Sequence, residues 1–274
     1  MNLLQALLLG IVEGLTEFLP VSSTGHLTIT EKLLGLQLDD PGVTAFTALI
    51  QVGAILAVLI YFRHDIVRIL VAWLRSLRDA EVRRTLDARL GWYILLGTIP
   101  IGIAGIVFSD QIENNARSLY LIGTTMIVMG VLLLLADRSS RQARDVDDLN
   151  KKDAAVIGVA QACALIPGVS RSGATLTAGL FLGLNRYAAA RYSFLLSVPA
   201  VVLSGLYELK DIGGEGSVGA APTAVATVCA FIAGYASIAF LLRYLSTHTT
   251  GIFVAYRVAV GVLVLALTAT GTIS

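Results

Sequence analysis

The sequence predicts an all-α integral membrane protein: six transmembrane helices plus two re-entrant helical hairpins arranged as an inverted-topology repeat. Three observations lead there. Hydrophobic residues make up 56% of the 274 and charged residues only 14%, with a mean hydropathy of +0.79, whereas an ordinary soluble domain carries about 25% charged residues. Six apolar stretches are long enough to cross a bilayer. Two further apolar regions are each broken by polar, Gly- and Pro-containing sequence, and they align with one another at a fixed offset. A net charge of +1 leaves no electrostatic footprint for nucleic acid. The two cysteines, Cys163 and Cys229, lie in apolar stretches and cannot form a disulfide framework; Cys163 reads as packing.

The chain opens on an apolar run with no basic flank that ends at Glu13. It is too short to span and unlike a cleaved leader. This run is the first arm of a broken region, 3–35, which reads as a short helix, an irregular tip and a second short helix. Spans follow near 43–62, 91–110 and 118–136; a second broken region covers 153–184; spans near 189–209, 222–243 and 252–271 complete the chain. A spanning helix needs about 20 apolar residues. Irregular backbone at membrane depth persists only where protein or a water-filled cavity surrounds it, so both broken regions are expected to enter and leave on one side.

Arginine and lysine set the orientation. The segment 63–90 holds Arg63, Arg68, Arg75, Arg78, Arg83, Arg84 and Arg89 and is expected to be a cytoplasmic connection. Alternation from there places Arg138, Arg141, Arg144, Lys151, Lys152, Arg186, Arg191 and Arg243 inside as well, leaving Lys32, Arg117 and Lys210 outside. Both termini then face away from the cytoplasm. Two arginines remain within apolar regions, Arg171 and Arg257. Arg257, near the start of the last span, is expected to snorkel to the cytoplasmic side. His64 and His248, at loop edges, are expected to be solvated.

An offset of 148 residues superimposes the broken regions without a gap: Gly10 on Gly158, Glu13 on Gln161, Ser22 on Ser170, Thr24 on Ser172, Gly25 on Gly173 and Gly35 on Gly183. Repeats fix architecture and are sought first. Here they divide a single membrane domain, 1–274, into a first copy, 1–126, and a second, 149–274. Three spans separate the hairpins, an odd number, so the second copy must be upside down and the two tips can meet near the midplane. In inverted-repeat transporters, broken helices bring half-helix N-termini to such a site. The second helix of each hairpin starts after Ser22-Ser23-Thr24 and after Ser170-Arg171-Ser172. Capped starts of that kind bind anions, and two converging ones suit a phosphate or diphosphate.

Glu13 and Glu17 lie one helical turn apart on one face. An ionised carboxylate in the bilayer core costs about 2.5–3.5 kcal/mol, and two together call for a proton or a bridging cation. A divalent cation, Mg or Ca, with oxygen ligands is the natural bridge, held by Glu13 and Glu17. The blander alternative is a surface position with both glutamates solvated. Arg171 has no acid within 154–207 to pair with locally. Its guanidinium fork matches phosphate oxygens, and it can also ion-pair with Glu13 or Glu17 across the repeat. Ser23 opposes Arg171 in the alignment; a serine nucleophile needs a base, and His26 and Glu17 are the candidates. Ser22, Thr24, Ser170, Ser172 and Thr175, with Gly25 and Gly168, read as caps and phosphate donors. Gly10 and Gly14 form a small-residue pair suited to close helix contact.

The motifs Glu13-Gly-Leu-Thr-Glu17-Phe-Leu-Pro-Val-Ser-Ser-Thr-Gly-His26 and Pro167-Gly-Val-Ser-Arg171-Ser-Gly-Ala-Thr175 resemble those of the bacterial undecaprenyl-diphosphatase family of the bacitracin-resistance type. The Tyr192-Ser-Phe-Leu-Leu stretch with its later Pro199 and the Tyr256-Arg257 pair support the resemblance, which extends over essentially the whole chain. It implies hydrolysis of undecaprenyl diphosphate to undecaprenyl phosphate and inorganic phosphate, recycling the carrier lipid for peptidoglycan synthesis. It also implies an inner-membrane location, a site opening outward, dependence on a divalent cation and a homodimer. Carried onto matching positions, Ser23 is the nucleophile or its equivalent, Arg171 the phosphate clamp, and Glu17 and His26 the acid/base groups.

The main rival is a transporter or flippase for a phosphorylated polyprenyl lipid, since inverted repeats typify alternating-access carriers. A lipid phosphatase of the vanadium-haloperoxidase-like type would need a Lys-x6-Arg-Pro element upstream, and the sequence has none.

Overall fold

A computed structural model of the protein describes residues 1–38, 40–108, 118–208 and 218–273, with backbone alone at 204 and 206–208. Eleven α-helices carry these residues: α1 Leu3–Phe18, α2 Ser23–Leu33, α3 Pro41–Tyr61, α4 Arg63–Ser76, α5 Leu86–Val107, α6 Leu119–Ser139, α7 Lys151–Ala162, α8 Arg171–Phe181, α9 Arg186–Glu208, α10 Ala220–Leu245 and α11 Gly251–Ala269. Among the described residues there is no strand, only a lone bridge between Arg144 and Leu184. The helix starts follow local chemistry. Asn2 with Gln5 and Asn150 with Asp153 form reciprocal capping boxes at α1 and α7, and Asp40 caps α3 ahead of Pro41.

Five helices are long and apolar enough to cross a membrane: α3, α5, α6, α10 and α11. The sixth expected stretch is α9, 23 residues long, whose first turns carry Arg186 and Arg191. The ends of the expected spans 91–110 and 189–209, together with Arg117 and Lys210, fall outside the described residues. Residue 126, where the offset ends the first sequence copy, lies inside α6.

The segment 63–90 is more than a basic connection. Ile66, Ile69 and Trp73 recur at helical spacing and turn toward α5, where the Trp73 and Trp92 rings sit 5.7 Å apart, edge to face. This pattern makes α4 an amphipathic helix. The arginine frequency had masked its period. Arg68 pairs with Asp65 at 2.8 Å and with Asp87 at 2.9 Å.

Helices approach closely where small residues allow it. A Cβ added at Gly10 or Gly14 of α1 would overlap the backbone of α10 at Ala226 and Ala230, and one at Gly158 of α7 would overlap Gly97 of α5. In lipid, where tails are as apolar as leucine, such contact replaces the hydrophobic drive between helices. Phe194 meets Phe18 edge to face and Phe62 at a tilt, with ring centroids 5.7 and 6.0 Å apart.

Helices α1 and α2 form one hairpin, α7 and α8 another. Each returns to the end from which it started. Gln5 donates to the Leu34 carbonyl at 3.3 Å across the base of the first. Arg144 spans the base of the second, bonding Asp153 at 2.5 Å and the Leu182 carbonyl at 2.8 Å. The Asp153 hydrogen bond raises the Arg144 pKa further above its ordinary value. The basic connections gather at one end of the bundle: Arg191 bonds Asp65 at 2.9 Å, Arg89 the Leu149 carbonyl at 2.8 Å, and Arg186 Asp137 at 2.5 Å.

Asp137 is the hub of that end. Besides Arg186 it accepts the Thr250 amide and hydroxyl, both at 3.0 Å, so it caps the start of α11. Removing it strands a guanidinium and an amide in a nearly closed site. Asp137→Ala is expected to cost about 3 kcal/mol, read as a lowered denaturation midpoint of the detergent-solubilised protein; an unchanged midpoint would count against this role.

Candidate active site

The two tips are built alike. Pro20, lacking an N–H, stops α1 from continuing, and the 163–165 turn followed by Pro167 does the same after α7. Each second helix is then entered through a serine at positive φ, Ser22 at 76° and Ser170 at 70°. Their hydroxyls cap the amides of Gly25 at 3.4 Å and Gly173 at 3.2 Å. A non-glycine residue in that region costs on the order of 1–3 kcal/mol and persists only when its surroundings over-determine it.

Arg257 supplies much of that determination. The sequence reading has it snorkelling to the cytoplasmic side, but its side chain is fully buried. Its guanidinium donates to Pro20 of the first tip at 3.1 Å, to Gly168 and Val169 of the second at 2.6 Å each, and to Met126 of α6 at 2.9 Å. The acceptors are all backbone carbonyls. Four such bonds keep a buried charge inside the bundle, where snorkelling would have left the carbonyls without donors. Thr125 adds a bond to the Pro167 carbonyl at 2.6 Å. Gly168, at φ +85°, packs so tightly on Thr125 and Ile122 that a Cβ would overlap both.

The tips meet through Glu17. One carboxylate oxygen accepts the Ser23 hydroxyl at 2.6 Å, and the other pairs with the Arg171 guanidinium. Ser172 ties the tips again through the Leu19 carbonyl at 2.9 Å. Beside this contact lies a cavity of about 840 Å³, within the range of about 300–1,000 Å³ usual for ligand sites. Glu13, Glu17, Ser22, Ser23, Thr24, Gly168, Ser170 and Arg171 line it. Four other expected residues stay behind its wall. Gly25 takes the Ser22 cap, Ser172 bonds Leu19, and Thr175 bonds the Arg171 carbonyl at 2.8 Å and Ser193 at 2.5 Å.

His26 is the fourth. Its Nδ1 lies 2.7 Å from the Ser22 carbonyl, which can only accept, so Nδ1 carries the proton. In the neutral ring Nε2 then accepts the Tyr256 hydroxyl at 2.8 Å, the two rings stacked. Both ring nitrogens are engaged away from Ser23, whose hydroxyl donates to Glu17. Tyr256 enters the sequence analysis only within a motif, and Gln51 and Thr98, which line the cavity, do not enter it. A polar residue within an otherwise apolar span was the available signal for all three. Cys163, read as packing, is exposed at the end of α7; His64 is exposed, and His248 bonds Thr247 and stacks on Tyr244.

Glu13 is fully buried and faces the same cavity as Glu17. Two carboxylates with hydroxyl and amide oxygens nearby form an all-oxygen donor set of the type hard divalent cations take. No cluster of three or more His, Cys, Asp or Glu side chains with metal-ligand placement occurs among the described residues, so solvent or a bound phosphate would have to complete the coordination.

A carboxylate-bonded hydroxyl, a guanidinium and two helix starts surround one cavity. A family model described as bacitracin resistance protein BacA matches residues 6–263. A protein of Thermobifida fusca (strain YX) named undecaprenyl-diphosphatase is 53% identical over 274 residues, spanning 100% of this chain and 93% of the relative. Proteins of the same name from Nocardioides sp. (strain ATCC BAA-499 / JS614) and Myxococcus xanthus (strain DK1622) are 53% and 52% identical, each spanning 100% of this chain and 99% and 92% of the relative. The chain belongs to the bacitracin resistance protein BacA family.

Arg257→Met leaves the four carbonyls in a dry site without their donor. It is expected to destabilise the solubilised protein by at least about 3 kcal/mol, with Arg257→Lys falling between the variant and the wild type. Equal denaturation midpoints for all three would refute the clamp.

Proposed function

We propose that the protein hydrolyses undecaprenyl diphosphate to undecaprenyl phosphate and inorganic phosphate, returning the carrier lipid to peptidoglycan synthesis. The observation that carries this reading is Glu17 accepting from both Ser23 and Arg171 beside an amphipathic cavity. Membership of a family whose relatives are named for that activity supports it. The terminal phosphate sits between the starts of α2 and α8, whose amides face the developing negative charge. Phosphate oxygens compete with Glu17 for the Arg171 fork, and the carboxylate, released from its pair, becomes the base for Ser23.

Ser23 Oγ then attacks the terminal phosphorus in line. Its proton passes to Glu17, the bond to the bridging oxygen breaks, and undecaprenyl phosphate leaves with that proton, which returns Glu17 to its carboxylate. Glu17 then takes a proton from water as the water attacks the phosphoserine, and gives it to Ser23 Oγ as the bond from that oxygen to phosphorus breaks and inorganic phosphate leaves. Glu13 and Glu17 would hold a divalent cation, which supplies charge neutralisation of the diphosphate. His26, through the Ser22 carbonyl, holds the tip; Ser22, Thr24, Gly168 and Ser170 line the phosphate end.

The same proposal places the chain in the bacterial plasma membrane as six spans, α9 being the sixth, with the two hairpins entering from opposite faces as an inverted repeat. Support comes from α2 and α8, which match at the 148-residue offset at both ends, from the closed hairpin bases, and from the tips meeting. The single basic end of the bundle supports a cytoplasmic assignment for that end, with both termini and the mouth of the site on the other face.

Purified protein is expected to release phosphate from undecaprenyl diphosphate, and Ser23→Ala and Arg171→Ala to lower kcat/KM by about 100-fold or more. Wild-type rates in either variant would remove it from the mechanism. Transfer of the lipid across vesicles without phosphate release would favour a carrier instead. Chelation of divalent cations is expected to abolish turnover, with recovery on adding Mg or Ca; full activity in excess chelator would show that the glutamates work without a cation.

A further inference from the structure

The phosphate site accounts for only one end of the cavity. Its other end is apolar, walled by Ala54, Ile55 and Val58 of α3, Val201 and Leu203 of α9, and one stripe of α5. That stripe comprises Thr98, Ile101, Gly102, Gly105 and Ile106, which follow helical spacing and so face one way. Three of the lining residues are also exposed on the outside of the bundle: Gly102, Ile106 at 81% and Leu203 at 61%. The cavity therefore opens sideways between α5 and α9. The neighbours of that opening on α5, Ile99 and Ile103, are exposed hydrophobics suited to lipid.

The glycines of α5 fall into two kinds. Gly91 and Gly97 are required by packing, since a Cβ there would press on Trp73 or on Leu196 and the Ala154 carbonyl. A Cβ at Gly102 or Gly105 would meet nothing within 4 Å among the described residues. Glycine inside a helix is unfavourable relative to alanine, and no neighbouring side chain or backbone among the described residues calls for it at these two positions. What a missing side chain leaves there is open space, continuous with the phosphate end and leading to the bilayer.

We propose that Gly102 and Gly105 form the prenyl-chain subsite: the isoprene units that follow the first lie along this bare strip of α5, and the rest of the chain passes between α5 and α9 into the bilayer. The inference rests on the phosphatase reading and adds where the lipid runs and which residues admit it. It makes chain-length preference a property of α5, separate from the phosphate chemistry of the tips. A side chain placed on the strip would hinder long chains and leave a short one, which ends before reaching it, far less affected.

The test compares phosphate release from undecaprenyl, farnesyl and dimethylallyl diphosphates by wild type, Gly102→Leu and Gly105→Leu. The wild type must first hydrolyse a prenyl diphosphate; failure there defeats the phosphatase reading itself. Given that activity, the ratio of kcat/KM for undecaprenyl over dimethylallyl diphosphate is expected to fall at least tenfold in the leucine variants, with farnesyl diphosphate between. Gly102→Ala and Gly105→Ala carry smaller side chains on the same strip. They are expected to shift the ratio in the same direction by a smaller factor, with unchanged or raised thermal midpoints, and they decide the matter if a leucine variant fails to accumulate. An equal loss on all chain lengths, or an unchanged ratio, would overturn the subsite.

Discussion

Backbone that leaves a helix inside a packed bundle has no water to satisfy it, and Arg257 is the group that makes two such departures tolerable. A guanidinium offers five N–H donors in a rigid plane. Here that plane is used almost wholly on carbonyls of the two tips and of α6. The consequence reaches the chemistry. Carbonyl oxygens repel phosphate, so a tip fit for an anion must turn its carbonyls away and its amides inward. Arg257 draws the carbonyls of Pro20, Gly168 and Val169 to its own side, and the serine-capped starts of α2 and α8 are left facing the cavity. His26 and Tyr256 act in the same sense on Ser22. Adjacent residues of the last helix thus position both tips.

Glu17 occupies the point where this scaffold becomes reactive. As the shared acceptor of Ser23 and Arg171 it leaves neither the hydroxyl nor the guanidinium without a partner. An arriving phosphate offers Arg171 more oxygens than one carboxylate can. In the proposed mechanism that exchange moves the guanidinium to the substrate and frees Glu17 to take the proton of Ser23. On that proposal binding and activation are coupled through one side chain, and the apolar remainder of the cavity is left to the lipid.

Much of this was legible in the sequence because the membrane makes polar residues conspicuous. The broken regions 3–35 and 153–184 stood out against apolar surroundings, and their alignment brought Ser23 and Arg171 together before any coordinates. Other features were hidden for physical reasons. In α4 the arginines fall so often that the Ile66, Ile69 and Trp73 period is lost to the eye. Arg257 sits where either snorkelling or burial is possible, and only the carbonyls that surround it decide. His26 looks like a base by proximity in the chain, yet its hydrogen bonds depend on Tyr256, 230 positions away. Gly102 and Gly105 could not be told from Gly91 and Gly97, because a glycine's reason lies in what faces it.

The most direct measurement is an experimental structure of the protein in lipid with a non-hydrolysable prenyl diphosphate analogue bound. The account predicts the terminal phosphate within hydrogen-bonding distance of both the Ser23 hydroxyl and the Arg171 guanidinium, with the Arg257 bonds to both tips intact. A phosphate seated elsewhere, or tips drawn apart so that no single anion touches both, would contradict it.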